Sequence, residues 1–150
     1  MRKTFLFICI LLMLTACQRE QAYEPEEINP DIDVCMICNM SITAENYATE
    51  AILKDGTVHK FDDIGCMFEF MKQEDKENIA KLYVRDIETS EWIELEKAFF
   101  AYDRDYWTPM NYGVVSFASE ENAKKYIEKE GKGQLWTYDQ LLQHKWGFEQ

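Results

Sequence analysis

The sequence predicts an α+β domain with antiparallel sheet, built from two hairpin–helix–strand halves. Three observations support this fold class. An Asp-Gly turn joins two short apolar runs, an apolar stripe with helical spacing follows it, and the same order of elements recurs after residue 98. At 150 residues the chain has the length of one domain and can bury a core without disulfides. We therefore expect an antiparallel sheet with the helices on one face.

The first half begins with a β-hairpin, in which strands 48–53 and 57–61 flank the turn Lys54-Asp55-Gly56. Asp-Gly is a strong hairpin signal because both residues tolerate positive φ. A helix follows from Asp62, the predicted N-cap, to about Gln73. Its inward stripe consists of apolar residues spaced i, i+3, i+4 and i+7, namely Ile64, Met67, Phe68 and Met71.

The second half is predicted to repeat this order. Ser119 is the expected N-cap of a helix that Gly131 ends, and acidic residues in its first turn complement the helix dipole. A short final helix is expected from Tyr138 to about Lys145. The strands that complete the first half and form the second are predicted at 80–87, 91–95, 98–102, 112–117 and 134–136.

The charge of the chain restricts its partners. It has 28 acidic against 16 basic side chains, a net charge of −12, and 47% hydrophobic residues. This balance excludes nucleic acid, which requires clustered Lys and Arg, and it excludes electrostatic docking on anionic lipid. A cationic ligand or a basic protein surface remains compatible.

The N-terminus has the features of an export signal. Arg2 and Lys3 precede an apolar run that is too short to span a bilayer comfortably. The run ends in Leu14-Thr15-Ala16-Cys17, which resembles the lipobox of bacterial lipoproteins. Residues 1–16 are thus predicted to be a signal peptide that is removed, with lipid attached to Cys17. An ordinary secretory signal is the alternative. Loss of the two basic residues changes the net charge from −12 to −14 on the exported part.

The chain after the signal is predicted to divide into a tether and a domain. Residues 17–33 comprise the lipidated Cys and an acidic stretch with two Pro, six acidic residues and one Arg. No periodicity is present, so we expect an extended spacer that holds the domain away from the membrane. Residues 34–150 are the predicted folded domain.

A group of sulfur residues carries the chemistry. Cys35, Cys38 and Met40 form a C-x-x-C-x-M motif where the tether meets the domain. Thiolate combined with thioether favours Cu(I), whereas Zn²⁺ rarely takes Met. In an extended segment Cys38 and Met40 lie on the same side, so both sulfurs could reach one ion. Further sulfur ligands could come from Cys66, Met67 and Met110, and a nitrogen ligand from His59.

These residues also have other interpretations. Cys35 and Cys38 could instead form a structural or redox disulfide, and the chain would then be an extracytoplasmic thiol–disulfide oxidoreductase in which Met40 has no role. Cys66 could be a buried thiol or a reserve ligand. Met67 lies on the apolar stripe and is more simply a core residue. A lone His on a strand, such as His59, is more often a surface or packing residue.

The number of cysteines limits disulfide pairing. Of the five cysteines, one leaves with the signal and one carries lipid, so three remain in the domain and cannot all pair within a monomer. Since no recognisable catalytic constellation is present, the sequence favours metal binding without catalysis.

The chain resembles the NosL family, the nitrous oxide reductase accessory lipoproteins, from Cys35 to about Leu142. The resemblance rests on pieces that occur in a fixed order: the lipobox Cys17, the Cys35-x-x-Cys38-x-Met40 motif, Lys60 to Met67, Asp86 to Ile93, Ala98-Phe99-Phe100, Thr108-Pro109-Met110, and Val115 to Ser119 followed by Glu121-Asn122-Ala123.

The resemblance implies an extracytoplasmic, membrane-anchored Cu(I)-binding protein that hands copper to nitrous oxide reductase together with its assembly machinery. It implies two related β-β-α-type halves, similar to part of organomercurial lyase. It places Cys38 and Met40 ahead of Cys35 as ligands, with Met110 third. Cys35 is then an extra ligand or a redox partner of Cys38, and their disulfide would block copper until reduced. Delivery to another cuproenzyme, copper tolerance and metal–carbon chemistry are the alternatives.

Overall fold

The computed structural model describes residues 23–147. The strands in this range form two antiparallel sheets. The predicted signal peptide, Cys17, the first residues of the predicted tether and residues 148–150 lie outside this range. The first sheet contains β1 (Thr49–Leu53), β2 (Val58–Phe61), β3 (Ile79–Arg85) and β4 (Trp92–Glu94), in the order β2-β1-β3-β4. The second contains β5 (Phe99–Tyr102), β6 (Val114–Phe117) and β7 (Gln134–Trp136), in the order β6-β5-β7.

Three helices connect or follow these strands in the described part of the chain. Helix α1 (Ile64–Gln73) joins β2 to β3, α2 (Glu120–Glu130) joins β6 to β7, and α3 (Tyr138–Leu142) follows β7. Short 3₁₀ turns lie at Glu45–Tyr47 and Leu95–Lys97. Within residues 23–147, no helix has both the length and the apolar character needed to cross a bilayer.

The two halves share one topology. In each sheet the first strand is central and pairs antiparallel with its hairpin partner on one side and with the strand after the helix on the other. The α+β class with two hairpin–helix–strand halves is therefore confirmed. The strands divide between two sheets, which the Ile87 N–H links by donating to the Ser116 carbonyl at 3.0 Å.

The predicted element boundaries are correct within two or three residues, and Ser119 and Gly131 cap α2 as expected. One predicted cap is wrong, because Asp63 rather than Asp62 is the N-cap of α1. The Asp63 side chain accepts from the Gly65 N–H, whereas the Asp62 carboxylate faces the Cys38 thiol.

The Asp63 carboxylate also joins the two halves of the domain. It is 1% exposed, and its Oδ2 accepts from the Thr108 hydroxyl at 2.6 Å and from the Met110 N–H at 3.0 Å. The Thr108 hydroxyl oxygen in turn accepts from the Tyr112 N–H at 3.0 Å. The loop between β5 and β6 is thus fixed to the start of α1 by one buried acid.

The described part of the predicted tether is packed against the first sheet, which corrects the expectation of a free spacer. Ile28 is buried, and the Glu26 N–H donates to the carboxylate of Glu50 on β1 at 2.9 Å. The Tyr83 hydroxyl donates to the Tyr23 carbonyl at 2.9 Å. An apolar side chain and these backbone hydrogen bonds outweigh the acidic composition on which the prediction rested.

We predict that Asp63→Ala lowers the free energy of unfolding by about 3 kcal/mol, because it removes a helix cap and leaves the Thr108 and Met110 donors without an acceptor. Urea denaturation followed by circular dichroism measures this loss. Asp75→Ala is the matched control, since Asp75 accepts from the Glu77 N–H at an exposed position. Equal losses in the two variants would contradict the role assigned to Asp63.

We also predict that Glu50→Gln stabilises the protein at pH 8. Burial raises the pKa of Glu50 from 4.5 to about 7. The folded state keeps a proton that the unfolded chain releases, so wild-type stability falls as pH rises from about 4.5 to 7 and then levels off.

The gain from Glu50→Gln should be on the order of 2–3 kcal/mol at pH 8 and should vanish at pH 4. Denaturation curves across this pH range measure it, with Glu77→Gln at an exposed position as the control. A pH-independent difference would show that the charge of Glu50 is not its cause.

Candidate metal centre

The C-x-x-C-x-M motif forms a tight loop. Val34 and Ser41 form an isolated antiparallel bridge, and inside it the Cys35 N–H donates to the Met40 carbonyl at 2.8 Å. The Asn39 N–H donates to the Cys35 carbonyl at 3.0 Å, and Asn39 adopts a left-handed backbone with φ of 59°. The expectation of an extended segment is therefore wrong, because Asn39 reverses the chain direction between Cys38 and Met40.

This metal loop, residues 34–41, is fixed to the first sheet. The Met36 N–H donates to the Lys60 carbonyl on β2 at 2.9 Å. The Lys60 ammonium contacts the Asp33 carboxylate at 2.9 Å and the Glu26 carboxylate at 3.2 Å, so it also joins the preceding segment to β2. Since α1 begins shortly after β2, the loop lies beside the first turn of that helix.

Three thiols and one carboxylate meet at this point. The donor atoms of Cys35, Cys38, Asp62 and Cys66 all lie within 4.8 Å of one another. Cys35 and Cys38 come from the metal loop, Asp62 follows β2, and Cys66 lies in the first turn of α1. All three cysteines are free, with Cys35 and Cys66 buried and Cys38 partly exposed.

The three thiols differ in acidity. A hydrogen bond from the Cys66 thiol lowers the pKa of Cys35 to about 7. The pKa of Cys66 is raised by the same hydrogen bond and by burial, and burial raises the pKa of Cys38 to about 12. Near neutral pH the group therefore stabilises one thiolate, centred on Cys35, and resists a second unless a cation replaces the remaining protons.

Asp62 has one free oxygen. Its Oδ2 accepts from the Cys38 thiol at 3.3 Å, while its buried Oδ1 has no hydrogen-bond partner among residues 23–147. Asp62 as a whole is only 3% exposed. A buried carboxylate oxygen without a donor is costly and indicates a position where a cation would be stabilised.

The remaining predicted ligands lie at different depths. Met40 belongs to the metal loop and is 45% exposed. Met110 is partly buried and is positioned through its N–H on Asp63, the neighbour of Asp62. Met67 is fully buried in the apolar core, where the sequence favoured it. His59 packs on the Phe70 ring with centroids 5.0 Å apart, as expected for a packing residue.

Sequence reasoning missed Asp62 as a member of the cluster because it assigned this carboxylate to the helix cap. The signal that could have found it is its nearness in sequence to Cys66, since an acid just before a helix can lie beside a side chain of the first helical turn. Cys66 was considered only as a buried thiol or a reserve ligand, yet it is an integral part of the cluster.

Comparison with known proteins supports the fold. The crystal structure of the copper chaperone NosL from Shewanella denitrificans matches with a TM-score of 0.66 at 22% identity, covering 78% of this chain and 94% of that chain. At this identity the likeness establishes the α+β fold alone. A comparison with curated protein sequences gave no match.

Two family models match the sequence itself. The prokaryotic membrane lipoprotein lipid attachment site matches residues 1–18, which confirms the predicted lipid-anchored position of the chain at a membrane. The second model spans residues 25–146, and its range includes the packed segment before the metal loop, both sheets and all three helices. Because this match covers most of the sequence, the chain belongs to the NosL family.

Proposed function

We propose that this protein is a membrane-anchored chaperone that binds Cu(I) on the extracytoplasmic face and passes it to a cuproenzyme. The observation that carries the proposal is the convergence of three free thiols, with donor atoms within 4.8 Å of one another, two of them from the loop that also carries the exposed Met40. Membership of the NosL family and the copper chaperone of the same fold support this assignment.

Copper is the cargo in this proposal, and the donor set suits it. Cu(I) prefers thiolate and thioether sulfur and is stable with few ligands. Cys35, Cys38, Met40 and Met110 are the proposed ligands, and Cys66 adjoins them in the cluster. Cys35 is the thiol that ionises most readily, so it offers the first negative charge to an incoming cation.

The sulfur residues form a gradient of exposure that suits transfer. Cys35 is fully buried, Cys38 is partly exposed and Met40 is 45% exposed. Thioethers bind Cu(I) without losing a proton and form no disulfide, so an exposed Met tolerates an oxidising compartment. A partner can therefore approach Met40 and Cys38 while the buried thiolate still holds the ion.

The membrane attachment would come from lipid on Cys17 after removal of residues 1–16. Nitrous oxide reductase and its assembly machinery are the proposed client, on the basis of the family resemblance. Another cuproenzyme or a role in copper tolerance would use the same site.

Burial argues against thiol–disulfide exchange as the main activity. Cys35 is 0% exposed, and the C-x-x-C sequence lies in a loop closed by the bridge between Val34 and Ser41. A reactive pair in an oxidoreductase needs an accessible thiolate, normally at a helix N-terminus. We therefore propose a carrier that catalyses no reaction.

The ligand assignment predicts that Met40 and Met110 contribute to Cu(I) affinity and that Met36 does not. Met40→Leu and Met110→Leu should each weaken Cu(I) binding by about tenfold or more, and Cys38→Ser should weaken it further. Competition against a chromophoric Cu(I) chelator under anaerobic conditions measures the affinity. Met36→Leu is the matched control, since Met36 is in the same loop and is 52% exposed. An unchanged affinity in Met40→Leu and Cys38→Ser would overturn the site.

The client assignment predicts a transfer. Copper-loaded protein mixed with copper-free nitrous oxide reductase should lose its copper to the enzyme, as metal analysis of the separated proteins would show. The Cys38→Ser variant should transfer less copper because it binds less copper before mixing. If the protein keeps its copper when mixed with nitrous oxide reductase but releases it to a different copper-free enzyme, that enzyme is the client.

A further inference from the structure

The first sheet has an open edge at the start of β3. This strand has seven residues, and β4 pairs only with its last three, residues 83–85. Within residues 23–147, the first four residues, 79–82, therefore pair with β1 alone. These four are half-buried, whereas the three beside β4 are buried. The edge thus leaves part of its backbone N–H and C=O groups without a neighbouring strand.

A groove runs along this open edge. Its cavity has a volume of about 410 Å³, which lies in the range of ligand-binding clefts. Because residues 79–82 and 94–96 both line it, it occupies the place that a longer β4 would fill if the chain did not turn away at Leu95–Lys97. The apolar part of the lining comes from β3, α1, that turn and α3, namely from Ile79, Leu82, Met71, Leu95, Tyr138 and Leu142.

We propose that this groove binds an extended segment of a partner protein, which adds to the first sheet as a strand beside residues 79–82 and antiparallel to β3. This interaction goes beyond copper binding and uses none of the proposed copper ligands. An open edge offers main-chain hydrogen bonds to a strand, and an apolar groove beside the edge takes every second side chain of that strand.

Two charged residues set the direction of the added strand. Since β4 runs antiparallel to β3, a strand that continues its course begins near Glu96 and ends near Lys76. Neither residue forms an ion pair within the described part of the chain, whereas Lys81 and Lys97 both contact the Glu94 carboxylate at 2.8 Å. A segment with a basic residue at its start and an acidic residue at its end is therefore complementary to the groove.

The residues of the edge permit pairing. Charged side chains on edge strands normally discourage the addition of another strand. Lys81 is the only charged residue among residues 79–82, and the Glu94 carboxylate compensates its charge. Leu142 in the groove wall is 49% exposed, so an added segment would also remove apolar surface from water.

The test uses the full chain in detergent and the fluorescein-labelled peptide Arg-Thr-Ile-Thr-Val-Glu, amidated at its C-terminus. Its four central residues match the length of the edge, and its end charges match Glu96 and Lys76. Fluorescence anisotropy should give a dissociation constant below about 1 mM, and the reversed peptide Glu-Val-Thr-Ile-Thr-Arg should bind at least about fivefold more weakly. Hydrogen exchange followed by mass spectrometry should show slower exchange of the backbone amides of residues 79–82 when the first peptide is bound.

Reversal of the two groove charges provides a second measurement. The combined variant Lys76→Glu with Glu96→Lys should invert the preference, so that the reversed peptide binds about fivefold more tightly. Both side chains are exposed, so this variant should fold. Lys129→Glu, at an exposed position of α2, is the matched control and should leave both peptide affinities unchanged. Cu(I) affinity should be the same in all of these proteins, which separates this test from that of the copper function.

Absence of peptide binding up to about 1 mM would overturn the proposal, as would binding that does not slow exchange at residues 79–82. Equal affinity for Arg-Thr-Pro-Pro-Val-Glu, whose two prolines lack backbone N–H groups, would exclude strand addition. If the protein instead dimerises without peptide and shows the same slow exchange, the edge binds a second copy of the chain, and the assignment to a different partner is wrong.

Discussion

The buried carboxylate of Asp63 is the contact on which the site depends. It caps α1, which carries Cys66, and it holds Thr108 and Met110 of the loop between β5 and β6. Each half of the domain could form its own sheet from local contacts. Asp63 fixes the loop of the second half beside the start of α1, and the bond from the Ile87 N–H to the Ser116 carbonyl joins the two sheets at a separate point.

Adjacent acids have different functions here. Asp63 accepts three hydrogen bonds and stabilises the fold, while Asp62 accepts from the Cys38 thiol through Oδ2 and its buried Oδ1 has no hydrogen-bond partner among residues 23–147. One step along the chain thus separates a structural carboxylate from a potential ligand. Both carboxylates are buried, so water weakens their interactions with neighbouring groups only slightly.

The sequence was most informative where structure is determined locally. The turn at Asp55-Gly56, the Ser119 and Gly131 caps and the repeated order of elements follow from local rules, and the structure agrees with all of them. The sequence could not show which of two neighbouring acids caps α1, nor that Ile28 is buried. Both depend on contacts with distant residues.

The same limit applied to the metal centre. The C-x-x-C-x-M motif identified the loop and its preference for soft metals, but Cys66 and Asp62 join it only through the packing of α1 beside β2. Asn39 also escaped prediction as the point where the loop turns, because left-handed geometry at a residue other than glycine is uncommon.

The packed segment before the metal loop shortens the reach of the protein from the membrane. The Tyr83 hydroxyl on β3 donates to the Tyr23 carbonyl, so lipid on Cys17 would lie only six residues before a backbone group that is bonded to the first sheet. Fully extended, that stretch spans about 20 Å. With such an anchor the metal loop would stay in a thin layer above the lipid, and its encounters with a partner would become a search in two dimensions.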